Sequence, residues 1–277
     1  MDTKVLGRAL ETVRGTVPLV HCITNYVTVN DCANALLGCG GSPIMSDEPE
    51  DVADIQTICG GLVLNIGTLN LRSIEGMRVA AGTAGKLGHP IVLDPVGAGA
   101  SALRTRTAGE LTDHFDITVV RGNMSEVKAV AGAAASTRGV DVNPDDAVTD
   151  ANLAASADFA RGLAAKLGCV VAITGAIDLV ASAERAVSIR NGVALMGKMT
   201  GAGCVLSCLV GAYVTANQGD PFTATVAAIA GEGLAGQIAA ARMDELDGNA
   251  SFRTYLLDAI CNMTAEHLTA GAKVEEL

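Results

Sequence analysis

Short apolar runs with no internal alternation recur through the first two thirds of this 277-residue chain, and they limit its fold more than any other feature. Residues 17–22, 61–66, 90–94, 117–121 and 169–174 are such runs, most of them closed by a polar residue or a glycine. A strand with one face in water alternates apolar and polar side chains, whereas a strand covered on both faces reads as continuously apolar. The runs therefore predict a parallel sheet buried between layers. Ala-rich segments of helical length, such as 71–87 and 150–167, separate them. Strand and helix in succession predict an α/β fold: three-layer and doubly wound, a mostly parallel sheet flanked by helices on right-handed crossovers.

The last third reads differently. Two short strands are expected at 179–182 and 186–189, and from Gly201 the chain reads as helical almost to its end. Residues 131–150, rich in Ala and Asp, read as an exposed loop. No linker or internal repeat interrupts the pattern, so residues 1–277 are expected to form a single domain. Apolar residues make up 49% of the chain but aromatics only 3%, so the core must be built from Ala, Val, Leu and Ile. A formal charge of −11 argues against nucleic acid or an anionic membrane as partner. It says nothing against ATP, whose binding depends on local donors. The most apolar later stretch, 202–216, is too short to span a bilayer, and residues 1–20 lack the apolar segment of a secretory leader. The eight cysteines form no Cys-x-x-Cys pair and sit mostly in apolar runs, as in a reducing compartment. A soluble, cytoplasmic protein is expected.

Ligands of doubly wound sheets bind beyond the carboxyl ends of the strands. Asn25, Asp94, Arg121 and Thr174 stand at or just past such ends. Asp94 opens the turn Asp94-Pro95-Val96-Gly97-Ala98-Gly99, whose Gly-x-Gly-x-x-Ala spacing invites an NAD-binding oxidoreductase. The turn does not follow the first strand, however, and Asp116 precedes the next strand where an acid should end it. A tight βα turn explains the glycines equally well. It does not explain Asp94, a candidate ligand for Mg²⁺ or its water shell. In Arg121-Gly122-Asn123-Met124-Ser125-Glu126, Asn123 and Glu126 have the spacing of a helix capping box. The guanidinium of Arg121 suits phosphate oxygens, and Glu126 suits a metal or its waters; capping and ligation are compatible.

Thr200-Gly201-Ala202-Gly203-Cys204 opens a long apolar helix with residues small enough to bare their backbone N–H groups. Gly201, Ala202 and Gly203 thus form a candidate anion hole for a transferring phosphoryl group. Close packing of helix on sheet would demand the same residues, and no Walker A loop occurs anywhere in the chain. Cys204 lies in the first helical turn, where the dipole favours a thiolate. None of the four histidines supplies the partner a cysteine hydrolase needs. His21, Cys22 and Cys208 read as core. Met45, past a short edge segment, offers adaptable apolar surface for a sulfur heterocycle.

Six segments in order resemble the hydroxyethylthiazole kinase family of the ribokinase-like superfamily: His21 to Asn30, Ser42 to Met45, Leu93 to Gly99, Arg121 to Glu126, Ile173 to Gly175 and Gly197 to Cys204. The resemblance covers essentially the whole chain. It implies phosphorylation of 4-methyl-5-(2-hydroxyethyl)thiazole by ATP with Mg²⁺, for thiamine biosynthesis or salvage, in a homotrimer with thiazole sites between subunits. It further implies Asn25, Met45 and Gly201 at the thiazole, Arg121 and Thr174 at the nucleotide, and Asp94 and Glu126 at the metal. Cys204 would stand at the substrate hydroxyl, where most of the superfamily carries Asp, to position that hydroxyl and assist its deprotonation. The nearest alternatives are ribokinase-like kinases of hydroxymethylpyrimidine or pyridoxal.

Overall fold

The structure is a computed structural model that describes residues 1–132 and 147–277. The predicted runs become strands β1 (Leu19–Ile23), β3 (Gly61–Asn65), β4 (Ile91–Asp94), β5 (Val119–Asn123) and β6 (Val170–Thr174). A short strand β2 (Ser42–Ile44) flanks β1. These six run parallel in the order β2-β1-β3-β4-β5-β6. The two later strands, β7 (Asp178–Ala181) and β8 (Ala186–Ile189), add antiparallel to the β6 edge.

The strands read as continuously apolar because both faces are covered. Val63, Val92, Val119 and Ala172 point into one core, and Leu64, Leu93, Val120 and Ile173 into the other. Neighbouring side chains on a strand alternate faces, so both parities must be apolar. The first core is closed by α1 (Lys4–Thr16), α2 (Val29–Cys39), α8 (Ala202–Ala216), α9 (Pro221–Ala241), α10 (Asn249–Asn262) and α11 (Ala265–Gly271). The second is closed by α3 (Val52–Ile58), α4 (Leu71–Leu87), α5 (Ala102–His114), α6 (Met124–Val130) and α7 (Leu153–Leu167). This is the expected three-layer α/β arrangement.

Two details differ from the sequence reading, and a third lies largely beyond the described residues. The helical last third ends in a strand, β9 (Val274–Glu276), paired antiparallel with β8. Val274-Glu275-Glu276 carries no strand signal of its own, and its place depends on the edge that β8 leaves open. The most apolar stretch, 202–216, is joined by α9, which at 21 residues is long and apolar enough to cross a bilayer. Most of α9 is buried against α8 and α10, the position of a central core helix. The loop expected at 131–150 falls largely outside the described residues.

The chain leaves β1 through α2 to one side and returns through α3 to β3 on the other. Such a reversal opens a crevice at the carboxyl ends of β1 and β3. The apolar helix α8 lies across the sheet beneath this crevice, with Gly211 packed so closely on Val63 that no Cβ would fit.

Candidate active site

Asn25 lies just past β1, and Asn65 and Asp94 end the neighbouring strands β3 and β4 in register. The three are wired together. The Asn25 amide donates to Asn65 Oδ1 at 3.2 Å, and the Asn65 amide donates to Asp94 Oδ2 at 2.7 Å. Ser207, one turn into α8, donates to the same Asp94 oxygen at 2.8 Å. Asp94 is completely buried, and its Oδ1 has no partner among the described residues. Burial pushes its carboxyl up, against the pull of Arg121, Ser207 and Asn65.

Arg121, on β5, is the next link. Its Nη1 donates to Gly203 O at 3.0 Å and lies 3.5 Å from Asp94, while Nη2 donates to Thr174 Oγ1 at 2.6 Å. Glu126 accepts from the backbone N–H groups of Gly97 (2.8 Å) and Asn123 (2.9 Å), and Asn123 caps α6 in return. The capping box is therefore present. It also accounts for the turn after β4, since Gly97, at φ 71°, spends its N–H on Glu126. Gly99, the glycine a pyrophosphate would approach, likewise gives its N–H to Thr105 Oγ1 at 2.8 Å, and the oxidoreductase alternative loses its support. Burial, followed by the nearby Asp94, pushes the Glu126 carboxyl up to about 7.

Gly201 precedes α8 at φ 83°, a left-handed conformation that favours glycine, and a Cβ there would run into Thr28. Thr28 in turn donates to Asn25 Oδ1, so the turn and the crevice are braced against each other. Cys204 Sγ accepts from the Asn25 amide at 3.0 Å. Burial first, then Asp94 and Cys32, push the thiol up to about 12, in opposition to the helix dipole that favours a thiolate.

Two cavities meet at this turn. One, of about 280 Å³, is lined by Asn25, Thr28, Asp94, Glu126, Gly201 and Cys204 among others. The other, of about 820 Å³, is lined by Thr174, Asp178, Arg190, Lys198, Ala202 and Glu232 among others. Arg121, Asn123, Thr200, Gly201 and Gly203 line both. A third hollow, between α4 and α5 and floored by Leu111 and Phe115, lies away from these groups. Of the candidate catalytic, binding and metal residues, Met45 alone lines neither cavity at the turn; it packs half-buried on the core beside β2. His21 is buried as expected, bonded to Gln56 and to the Ser46 carbonyl.

Sequence reasoning missed Asn65, Ser207 and Glu232. Asn65 had the same signal as Asp94, a polar end to an apolar run. Glu232 is the lone charge in α9. Ser207 had no signal, because a serine inside a helix gains its meaning only from a partner on another element.

A family model described as the hydroxyethylthiazole kinase family matches residues 10–266. The chain is 48% identical over 271 residues to hydroxyethylthiazole kinase of Clostridium acetobutylicum, covering 98% of this chain and 99% of that one. Its fold superimposes on the solved structure of a hydroxyethylthiazole kinase from Pyrococcus horikoshii with a TM-score of 0.87, at 34% identity and 99% coverage of both chains. A ribokinase-like superfamily protein from Enterococcus faecalis shares the fold at a TM-score of 0.63, with 11% identity and 94% of each chain covered.

Proposed function

Since this chain belongs to the hydroxyethylthiazole kinase family, we propose that it transfers the γ-phosphate of ATP directly to the hydroxyl of 4-methyl-5-(2-hydroxyethyl)thiazole. The observation that carries the direct mechanism is the pair of cavities that share Gly201 and Gly203 as lining. In-line transfer needs the attacking oxygen and the leaving oxygen on opposite sides of one phosphorus. An alcohol in the smaller cavity and a triphosphate in the larger one meet that requirement at their shared wall. Arg121, Arg190 and Lys198 supply the larger cavity with cationic donors.

The N-terminus of α8 offers the transferring group backbone N–H donors at Gly201 and Gly203 and the positive end of the helix dipole, while the Ala202 N–H is given to Met199 O at 3.4 Å and would have to release it to join them. Asn25, held by Thr28 and Asn65, orients the acceptor end of the smaller cavity. The thiol of Cys204, pushed up to about 12, is a poor base at neutral pH and serves to hold the hydroxyl. Phosphoryl transfer through a loose transition state asks little of a base, so late loss of the proton is sufficient.

The residues fit Mg²⁺. Asp94 has a buried oxygen without a partner, and both Glu126 oxygens already accept backbone N–H groups, which suits Glu126 to a water of the ion's shell. Mg²⁺ commonly takes one or two carboxylates, substrate phosphates and several waters. When bound, it would neutralise charge on the phosphates.

Val27, which lines the smaller cavity, and its chain neighbour Tyr26 are both exposed, and they support a homotrimer in which a neighbouring subunit completes the thiazole site. A solution mass by light scattering equal to one 28.0 kDa chain would count against it. All eight cysteines are free thiols, which supports a cytoplasmic setting. Mass spectrometry of a reaction with ATP, Mg²⁺ and the thiazole alcohol tests the direct mechanism. A thiazole phosphate with unmodified protein is expected, and a phosphocysteine at position 204 would contradict it.

A further inference from the structure

Four buried side-chain atoms lack a hydrogen-bond partner among the described residues, and three of them belong to groups lining the two cavities: Asp94 Oδ1, Arg121 Nε and Glu232 Oε1. Buried polar atoms are nearly always paired, so orphans concentrated at one site point to partners gained in another state of that site. Asp94 has a candidate partner in the metal. Arg121 Nε, a donor, and Glu232 Oε1, an acceptor, are complementary.

Glu232 is the only charge in the 21-residue helix α9, and it lines the larger cavity while only 4% exposed. Its neighbour Gly233 is pressed against Asn191, where a Cβ would come within 2.7 Å. The backbone that carries the carboxylate is thus packed tightly at the wall. Burial disfavours its charge, Asp178 adds to that, and Arg121 is the neighbour that favours it. The relation is mutual, because Glu232 is among the acids that support the charge of buried Arg121, after Asp94 and Glu126.

Arg121 spends Nη1 on Gly203 O and Nη2 on Thr174, at the very place where phosphate oxygens would arrive. A guanidinium that turns its Nη groups to phosphate must release Gly203 and needs another anchor. We propose that Glu232 is a positioning residue for Arg121, accepting its Nε–H when the phosphates of the donor nucleotide take Nη1 and Nη2. The proposal rests on reading Arg121 as the residue that binds those phosphates.

Steady-state kinetics of R121Q, E232A, E232Q and the double variant R121Q/E232A, with melting temperatures recorded for each, test it. Loss of a charge-assisted hydrogen bond predicts a rise of about tenfold in KM for ATP in E232A, with KM for the thiazole alcohol unchanged. E232Q keeps an acceptor oxygen and should fall between E232A and the parent. Because Glu232 acts through Arg121, adding E232A to R121Q should raise KM for ATP by less than about twofold further. If R121Q weakens ATP while E232A does not, or if E232A costs its full factor in the R121Q background, the inference is overturned and the reading of Arg121 stands. If R121Q leaves KM for ATP unchanged, the reading of Arg121 falls, and the inference with it.

Discussion

Cys204 occupies a place where two electrostatic effects oppose each other. The start of α8 favours a negative sulfur, but burial and the Asp94 carboxylate disfavour it and win, pushing the thiol up to about 12. A thiol that stays protonated can hold a hydroxyl but cannot take its proton early. Cys204→Ala is therefore expected to lower kcat by about tenfold, the worth of one lost positioning hydrogen bond of about 1–1.5 kcal/mol. Cys204→Asp should keep substantial activity, because a carboxylate there can accept both from Asn25 and from the substrate hydroxyl. Equal losses in the two variants, measured at saturating ATP, would count against a role at the hydroxyl. Asn25, Asp94, Arg121 and Thr174 were legible in the sequence because each is a polar group where an apolar run ends. The bond from Ser207 to Asp94 was not legible, since it joins residues 113 apart that only the packing of α8 under β4 brings together.

At the scale of elements, the strands were legible and the last of them was not. Burial on both faces writes itself into β3, β4, β5 and β6 as unbroken apolar runs, whereas β9 is a three-residue edge strand with exposed glutamates. The turn into α8 was read from its small residues, but the reason for glycine at 201 is three-dimensional. Gly201 has a left-handed φ of 83° and abuts Thr28, which itself braces Asn25. Gly201→Ala should thus cost about 1–3 kcal/mol of stability through strain and displacement. It should also lower kcat/KM by more than 10²-fold, because the anion hole and the Asn25 amide move together. Urea unfolding and steady-state kinetics on the same preparation check both effects. Full activity in this variant would show that the turn tolerates the displacement and that the donors lie elsewhere.

The whole molecule carries an imbalance at its site. Burial pushes Glu126 and Asp178 up to about 7 and Glu232 up to about 8, from ordinary values of 4.5, 3.8 and 4.5. Groups raised in the folded state bind more protons there than in the unfolded chain. Their contribution to stability is fully present below about pH 4 and is lost as pH rises through about 7 to 8. The urea midpoint of the ligand-free protein should accordingly fall between about pH 5 and pH 8, and Glu232→Gln should flatten that fall. A midpoint that rises over the same interval in both proteins would contradict the burial of these carboxylates. In the proposed phosphoryl transfer to a thiazole alcohol, Mg²⁺ held at Asp94 and Glu126 would offset part of this buried negative charge. The acceptor alcohol is the most exposed part of that assignment. ADP release, followed by a coupled assay with ATP and Mg²⁺, should be compared for hydroxyethylthiazole, hydroxymethylpyrimidine and pyridoxal on one enzyme preparation. Release well above background with hydroxyethylthiazole, exceeding that with the other two alcohols, is the predicted result; background release with hydroxyethylthiazole, or faster release with either rival, would contradict the account.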